Sequence, residues 1–183
     1  MRIIAGSAKG RKLVAPGRAK TRPTTDRVKE SIFNIIQFDI EGRHVLDLFA
    51  GSGQLGIEAL SRGAESAVFV DMSRQSAEAI RHNLSIAGFS DRGRAVIWDA
   101  IGFISSTKEK FDLIFLDPPY GEKPLAKTLG AIIAFDICRE GGIILCENDA
   151  GVEPPEPSGN YALGRTYTYG NTLVSVYRRD GGQ

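Results

Sequence analysis

The spacing of hydrophobic and polar positions changes character twice along the chain. The opening "RIIAGSAKGRKLV" sets short apolar pairs on either side of a turn with glycine and lysine, and reads as a short basic β-hairpin over residues 2–14. "APGRAKTRP" follows as a loop rich in breakers. Thr24 or Thr25 caps a predicted helix reaching about Gln37, with Val28, Ile32, Ile35 and Ile36 on one face. From Arg43 onward, apolar runs of strand length alternate with segments of helical period. "HVLDLFA", "SAVFVDM", "RAVIWDA", "FDLIFLDPP" and "GGIILCEN" read as strands, the first of them buried. "QLGIEALSRG", "RQSAEAIRHNLSIAG" and "PLAKTLGAIIAFDIC" read as helices, the first two stopped at Gly63 and Gly88. After the surface loop "VEPPEPSGN", "YALGRTYTYG" and "NTLVSVYRR" alternate apolar with polar residues and close as an antiparallel hairpin around "YGN".

Alternating strand and helix predicts a doubly wound, Rossmann-like α/β sheet. The change of pattern divides the chain near Glu41 and Gly42, into a basic extension (1–41) and an α/β body (42–183). With 183 residues, 42% of them hydrophobic, the chain is expected to form one soluble domain with a sizeable core. No apolar run reaches the roughly 18 residues of a membrane span, and the N-terminus lacks the apolar centre of a secretion signal. Cys138 and Cys146 have neither metal-ligand nor disulfide-framework spacing, and read as buried thiols of a reducing cytoplasm.

The near-neutral net charge of +1 hides an asymmetry. Residues 1–30 hold nine Lys and Arg against two acids, so the remainder is negative. Arg2, Lys9, Arg11, Lys12, Arg18, Lys20, Arg22 and Arg27 make this arm a candidate surface for a polyanion, nucleic acid above all. A solvated tail is the plainer alternative.

Chemistry enters at "LDLFAGSGQLG". Gly51, Gly53 and Gly56 satisfy G-x-G-x-x-G after a strand and before a helix, which places Phe49, Ala50, Gly51, Ser52 and Gly53 against a ligand. Asp71, followed by Met72, ends the second strand and suits two ribose hydroxyls. This much fits a nicotinamide dinucleotide as well as any adenosine cofactor. Asp47 discriminates, because a carboxylate just before the loop repels pyrophosphate and welcomes a cation. S-adenosylmethionine carries an ammonium and a sulfonium. Asp99, followed by Ala100 at the third strand end, is then a candidate acceptor for the adenine amine; a helix cap is its bland role. In "FLDPPYG", Asp117, Pro118, Pro119 and Tyr120 form a stiff segment with a carboxylate and a ring at the end of a strand. Asp117 faces both cofactor and acceptor in this reading. His44 and His82 lack partners and read as structural, Trp98 reads as core ahead of a border of the adenine pocket, and Tyr161, Tyr167, Tyr169 and Tyr177 read as strand residues. No ligand set for a metal is visible.

With the glycine loop and "DPPY" in hand, the chain resembles class I S-adenosylmethionine-dependent methyltransferases. The match is closer to the RsmD-type 16S ribosomal RNA guanine-N2 methyltransferases, through "MRIIAGSAKGRKL", "RPTTDRVKESIFNII", "VLDLFAGSGQLGIEALSRGA", "FDLIFLDPPY", "GGIILCE" and "YGNTLVSVYRR". Asp71 stands where that family more usually has glutamate. The resemblance implies a mostly parallel seven-stranded sheet with helices on both faces, and a basic N-terminal hairpin that helps bind RNA. It adds Thr24, within "RPTTDR", to the RNA surface. It implies methyl transfer to a guanine of the small ribosomal subunit by a cytoplasmic monomer. Two alternatives stand beside it: a DNA adenine-N6 methyltransferase, for whose recognition domain the chain has no room, and a non-catalytic RNA-binding assembly factor. A nicotinamide oxidoreductase would need a hydride-transfer constellation that the sequence does not display.

Overall fold

The computed structural model describes residues 1–17, 26–118 and 122–181. The elements run α1 (Asp26–Ile35), β1 (His44–Leu48), α2 (Gln54–Ser61), β2 (Ser66–Asp71), α3 (Arg74–Ala87), β3 (Gly93–Ile97), α4 (Ala100–Ser106), β4 (Phe111–Leu116), α5 (Glu122–Ala134), β5 (Cys138–Asp149), β6 (Tyr161–Tyr169) and β7 (Thr172–Arg179). They form one seven-stranded sheet in the order β3-β2-β1-β4-β5-β7-β6. β3, β2, β1, β4 and β5 are parallel, while β7 and β6 add antiparallel, so the sheet is mixed. The strand order reverses between β1 and β4, which opens a crevice at their carboxyl ends.

The inner strands read as unbroken apolar runs because both sheet faces are covered. Val45, Phe69, Leu113, Phe115 and Leu145 enter a core beneath α1, α2 and α3. Leu46, Val68, Ile114, Leu116 and Ile144 alternate to the opposite face, beneath α4 and α5.

Two sequence expectations are revised, and the expected hairpin is present. The last predicted helix stops at Ala134; Asp136 turns with a φ of 52°, and Cys138 opens β5 instead of ending the helix. A seven-residue helix, α4, lies between β3 and β4 where no helix was expected. The N-terminal hairpin is held by one antiparallel bridge, Arg2 to Lys12, and is built into the body. Ile3, Ala8 and Leu13 belong to the same core as α1 and α2.

Glu58 on α2 anchors this arm. Its Oε2 and Oε1 accept the amides of Ile4 and Ala5 at 2.8 and 2.9 Å. Arg62 donates to Oε1 at 2.9 Å, and the Lys29 ammonium lies 3.6 Å from Oε2. Lys29 and Glu58 are both fully buried, and Lys29 also donates to the Arg2 carbonyl at 2.5 Å. Burial lowers the Lys29 pKa from its ordinary value, and Glu58 opposes that shift. Lys29 is therefore an internal charge, and counting it within the basic arm overstates what a partner meets.

Candidate active site

The glycine loop is shaped by three left-handed residues, Phe49, Gly51 and Gly53, with φ of 61°, 54° and 75°. Phe49 is costly there, since its Cβ crowds the backbone. The glycines divide the work. A Cβ on Gly56 would lie 2.3 Å from the Phe69 ring, so only glycine lets α2 close on β2. That closeness brings the Gly56 amide to 2.9 Å from Asp47 Oδ2. A Cβ on Gly53 would press on Ile80 and Phe69 at 3.1 and 3.2 Å, which makes Gly53 a packing residue. Gly51 faces open space, with no described atom within 4 Å of such a Cβ, so a ligand can approach the backbone there. Ala50 is buried and donates its amide to Val70. Ser52 is buried, and its hydroxyl points to Met1 Sδ at 3.4 Å.

Asp47 is the unusual group. It is buried, and burial pushes its pKa up to about 7; the Gly56 amide opposes the shift and the Asp71 carboxylate adds to it. A carboxylate so placed gains strongly from a nearby cation. That is the property a cofactor with an ammonium requires, and on this observation the residues present fit S-adenosylmethionine.

Asp71 braces the loop. Its Oδ2 accepts the Gly51 amide at 2.9 Å and its Oδ1 the Ser73 amide at 2.8 Å. Each oxygen has a further lone pair, so the carboxylate can also take hydrogen bonds from vicinal hydroxyls. Asp99 caps α4, accepting the Gly102 amide at 2.8 Å, with Ala100 buried as the first helical residue. Its expected adenine contact would thus be shared with a cap. Met72, Ile97 and Trp98 stand beside these acids and are 74%, 47% and 47% exposed. Trp98 is not a core residue, contrary to the first of its two expected roles. Ile97 is paired with Asp71 across β2 and β3. Ile97 escaped sequence reading because its place opposite Asp71 shows only in the sheet register.

Asp117 and Pro118 follow β4 directly, Asp117 half-buried and Pro118 buried. Leu48 pairs with Leu116, so Phe49 and Asp117 leave adjacent strands at the same level. Asp47, Asp71, Asp99 and Asp117 therefore gather along one edge, at the ends of β1, β2, β3 and β4. Pro119 and Tyr120 lie outside the described residues, as do Arg18, Lys20, Arg22 and Thr24.

The arm lies along α2 instead of crowding this edge. Its root, Met1 and Val14, is beside the glycine loop, while its turn, Ser7 and Ala8, meets Ser61 at the far end of α2. Lys9, Lys12 and Arg27 are exposed; Arg2 pairs with Asp26 at 3.2 Å, and Arg11 donates to the Ile86 carbonyl at 2.5 Å. A cleft of about 470 Å³ opens between the hairpin and α1, with Arg2, Lys9 and Arg62 on its walls.

Asn83 joins arm and loop, and sequence reading missed it. It is fully buried; Nδ2 donates to the Val14 and Ser52 carbonyls at 2.9 Å, and Oδ1 accepts the Val14 amide at 2.8 Å. The available signal was an amide on the apolar stripe of α3, between Ile80 and Leu84. His44 contacts the Ser66 hydroxyl at 2.8 Å, and His82 is exposed. Cys138 and Cys146 are buried free thiols whose pKa values burial raises. Among the described residues no group of three or more His, Cys, Asp or Glu could hold a metal.

Comparison with known proteins gives one direction. The family model described as conserved hypothetical protein 95 matches residues 1–178. YlbH of Bacillus subtilis, named as a provisional rRNA methyltransferase, is 44% identical over 99% of this chain and 100% of its own. Ribosomal RNA small subunit methyltransferase D of Escherichia coli is 33% identical over 98% of this chain and 90% of its own. The solved structure of E. coli yhhF, a provisional methyltransferase, superposes with a TM-score of 0.88 at 33% identity, covering 100% of this chain and 99% of that one.

Proposed function

Because the chain belongs to the family of ribosomal RNA small subunit methyltransferase D, we propose that it transfers a methyl group from S-adenosylmethionine to the exocyclic N2 amine of a guanine in 16S ribosomal RNA. The chain is a Rossmann-like, S-adenosylmethionine-dependent ribosomal RNA methyltransferase. The guanine, its N2 atom, the small-subunit RNA and the roles of single residues are our reading. The observation that carries it is Asp47, a buried carboxylate beside an open glycine, on the same strand-end edge as Asp117.

Asp47 receives the cofactor's ammonium, Asp71 its ribose hydroxyls, and Asp99 its adenine amine. Phe49, Ala50, Gly51, Ser52, Gly53 and Gly56 shape the loop around it, and Met72 and Ala100 border the adenosine. When bound, the cofactor supplies an electrophilic methyl group on sulfur. The guanine N2 lone pair is delocalised into the ring and is a poor nucleophile. Asp117 and the Pro118 carbonyl accept the two amine hydrogens, which favours a pyramidal nitrogen with its lone pair localised. The methylated nitrogen then sheds a proton, and Asp117 is the base beside it. Pro119 stiffens the segment, and Tyr120 stacks on the base drawn out of its own stack. Positioning and fixed dipoles provide the acceleration.

The arm meets RNA phosphates through Arg2 and Lys9 on the cleft and through Arg11 and Lys12 beside it, and Arg18, Lys20, Arg22, Thr24 and Arg27 add to the RNA contacts. The enzyme works as a cytoplasmic monomer on an assembling or assembled small subunit. No helix among the described residues is long and apolar enough to cross a membrane. The test is to supply tritiated S-adenosylmethionine with small ribosomal subunits from a strain lacking the enzyme, then map the labelled nucleotide. One labelled guanine in 16S RNA is expected. Label confined to DNA, or no label in any RNA, would overturn the proposal.

A further inference from the structure

The block "GGIILCE" ends on an acid that none of these roles uses, and the sheet register locates it. Leu116 pairs with Cys146 across the parallel β4–β5 ladder. Asp117, just past the end of β4, and Glu147, still within β5, each come one residue later, so they are neighbours. Side chains alternate along a strand. On β5, Ile144 and Cys146 enter the core under α4 and α5, whereas Ile143 and Leu145 enter the core under α1–α3. Glu147 returns to the α1–α3 side. Val174, its partner on β7, belongs to that same core. On β4, Leu113 and Phe115 share this side, and Asp117 continues the alternation, held extended by the proline after it. Both acids are half-buried. Two carboxylates thus stand side by side, one just past β4 and one within β5, on the sheet face that also carries Asp47.

We propose that Glu147 reads the target base: its carboxylate accepts the N1–H of guanine while Asp117 accepts from the neighbouring 2-amino group. This rests on the guanine-N2 reading above and makes it more specific. Guanine offers two adjacent donors on that edge, N1–H and N2–H, and two adjacent carboxylates match them. Adenine offers an amine beside the bare N1 lone pair, which Glu147 opposes. A carboxylate has about four acceptor positions, so contacts of Glu147 within the protein leave room for the base. A site built to hydrogen-bond a donor discriminates strongly against an analogue without it, because its own polar group is then stranded.

2-Aminopurine separates this role from a structural one. It keeps the 2-amino group but presents a lone pair at N1. The substrate is a small-subunit RNA fragment containing the mapped target, joined by ligation with guanosine or 2-aminopurine riboside at that position. The wild-type enzyme should favour guanosine in kcat/KM by about a hundredfold or more. Glu147→Gln can donate its amide N–H to the 2-aminopurine N1, so the preference should narrow by about tenfold or more. Unfolding midpoint and affinity for the demethylated cofactor report on its fold. Equal loss on both substrates would mean that Glu147 only supports the structure, and the inference would fall. If Glu147→Gln does not fold, Glu147→Asp serves: it should lose more on guanosine than on 2-aminopurine, and equal losses overturn the idea. A wild-type enzyme inactive on the guanosine fragment would sink the guanine reading itself, and this inference with it.

Discussion

The buried carboxylates at α2 are handled in opposite ways. Glu58, toward one end, is saturated: two backbone amides, Arg62 and Lys29 surround it. Asp47, at the other end, has the Gly56 amide and a second acid nearby, and burial raises its pKa to about 7. Glu58 is completed by the fold and holds the arm. On the proposed function, Asp47 is completed by the positive charge of the cofactor. On that proposal the contrast separates a structural buried acid from a ligand-binding one without reference to burial itself, which is nearly the same for both.

The contrast breaks first at Glu58. Glu58→Ala strands Lys29 in the core and frees the arm, and should cost about 3–5 kcal/mol of stability in denaturant unfolding. A loss under about 1 kcal/mol would mean that the anchor is ornamental. Asp47→Asn is the mirror test. Stability should hold or rise, because a buried ionisable group is removed, while affinity for S-adenosylmethionine should fall by about 1.5–3 kcal/mol in calorimetry, the usual scale of a charged hydrogen bond. An unchanged affinity would place the ammonium elsewhere.

pH sharpens the same comparison. Asp47 folded has a pKa raised to about 7, against about 3.9 for an unfolded aspartate. Between these values the folded state binds more protons, so its contribution to stability is present at low pH and is lost as pH rises through 7. A cationic ligand displaces that proton. Cofactor affinity should therefore rise from pH 5 to pH 7, by up to about tenfold per unit, and Asp47→Asn should flatten the rise. The smallest effect belongs to the arm. Since Ile3, Ala8 and Leu13 are core residues, deletion would confound binding with folding, and charge removal is the cleaner test. Lys9→Gln with Lys12→Gln should leave stability unchanged and make the slope of log RNA affinity on log salt shallower, by about 0.7–0.9 per lost phosphate contact. Equal slopes would move the RNA surface off the hairpin.

The sequence made the alternation of β1 to β5 with α2, α3 and α5 legible, because both periods are strong there and glycines mark the ends. It made the glycine loop and the row of strand-end acids legible for the same reason. α4 was hidden because seven residues, "AIGFISS", carry too few turns for a period. The start of β5 was hidden inside one apolar run, which Asp136 interrupts only through its backbone. Lys29 looked like one more arm charge because its partner Glu58 is distant in sequence, and Trp98 looked like core because exposure at a strand end leaves no mark on composition. Asn83 and Glu147 needed the third dimension: each is ordinary in its own segment and informative only through its neighbour on another element.

The most direct measurement is a single-turnover transfer with enzyme in excess, using methyl-labelled S-adenosylmethionine and small subunits lacking the modification, followed by digestion to nucleosides. The wild-type enzyme should place the label in N2-methylguanosine alone. Asp117→Ala, with cofactor affinity intact, should be slower by about a hundredfold or more. Label on any other nucleoside, or an Asp117→Ala enzyme that transfers at the wild-type rate, would contradict the account.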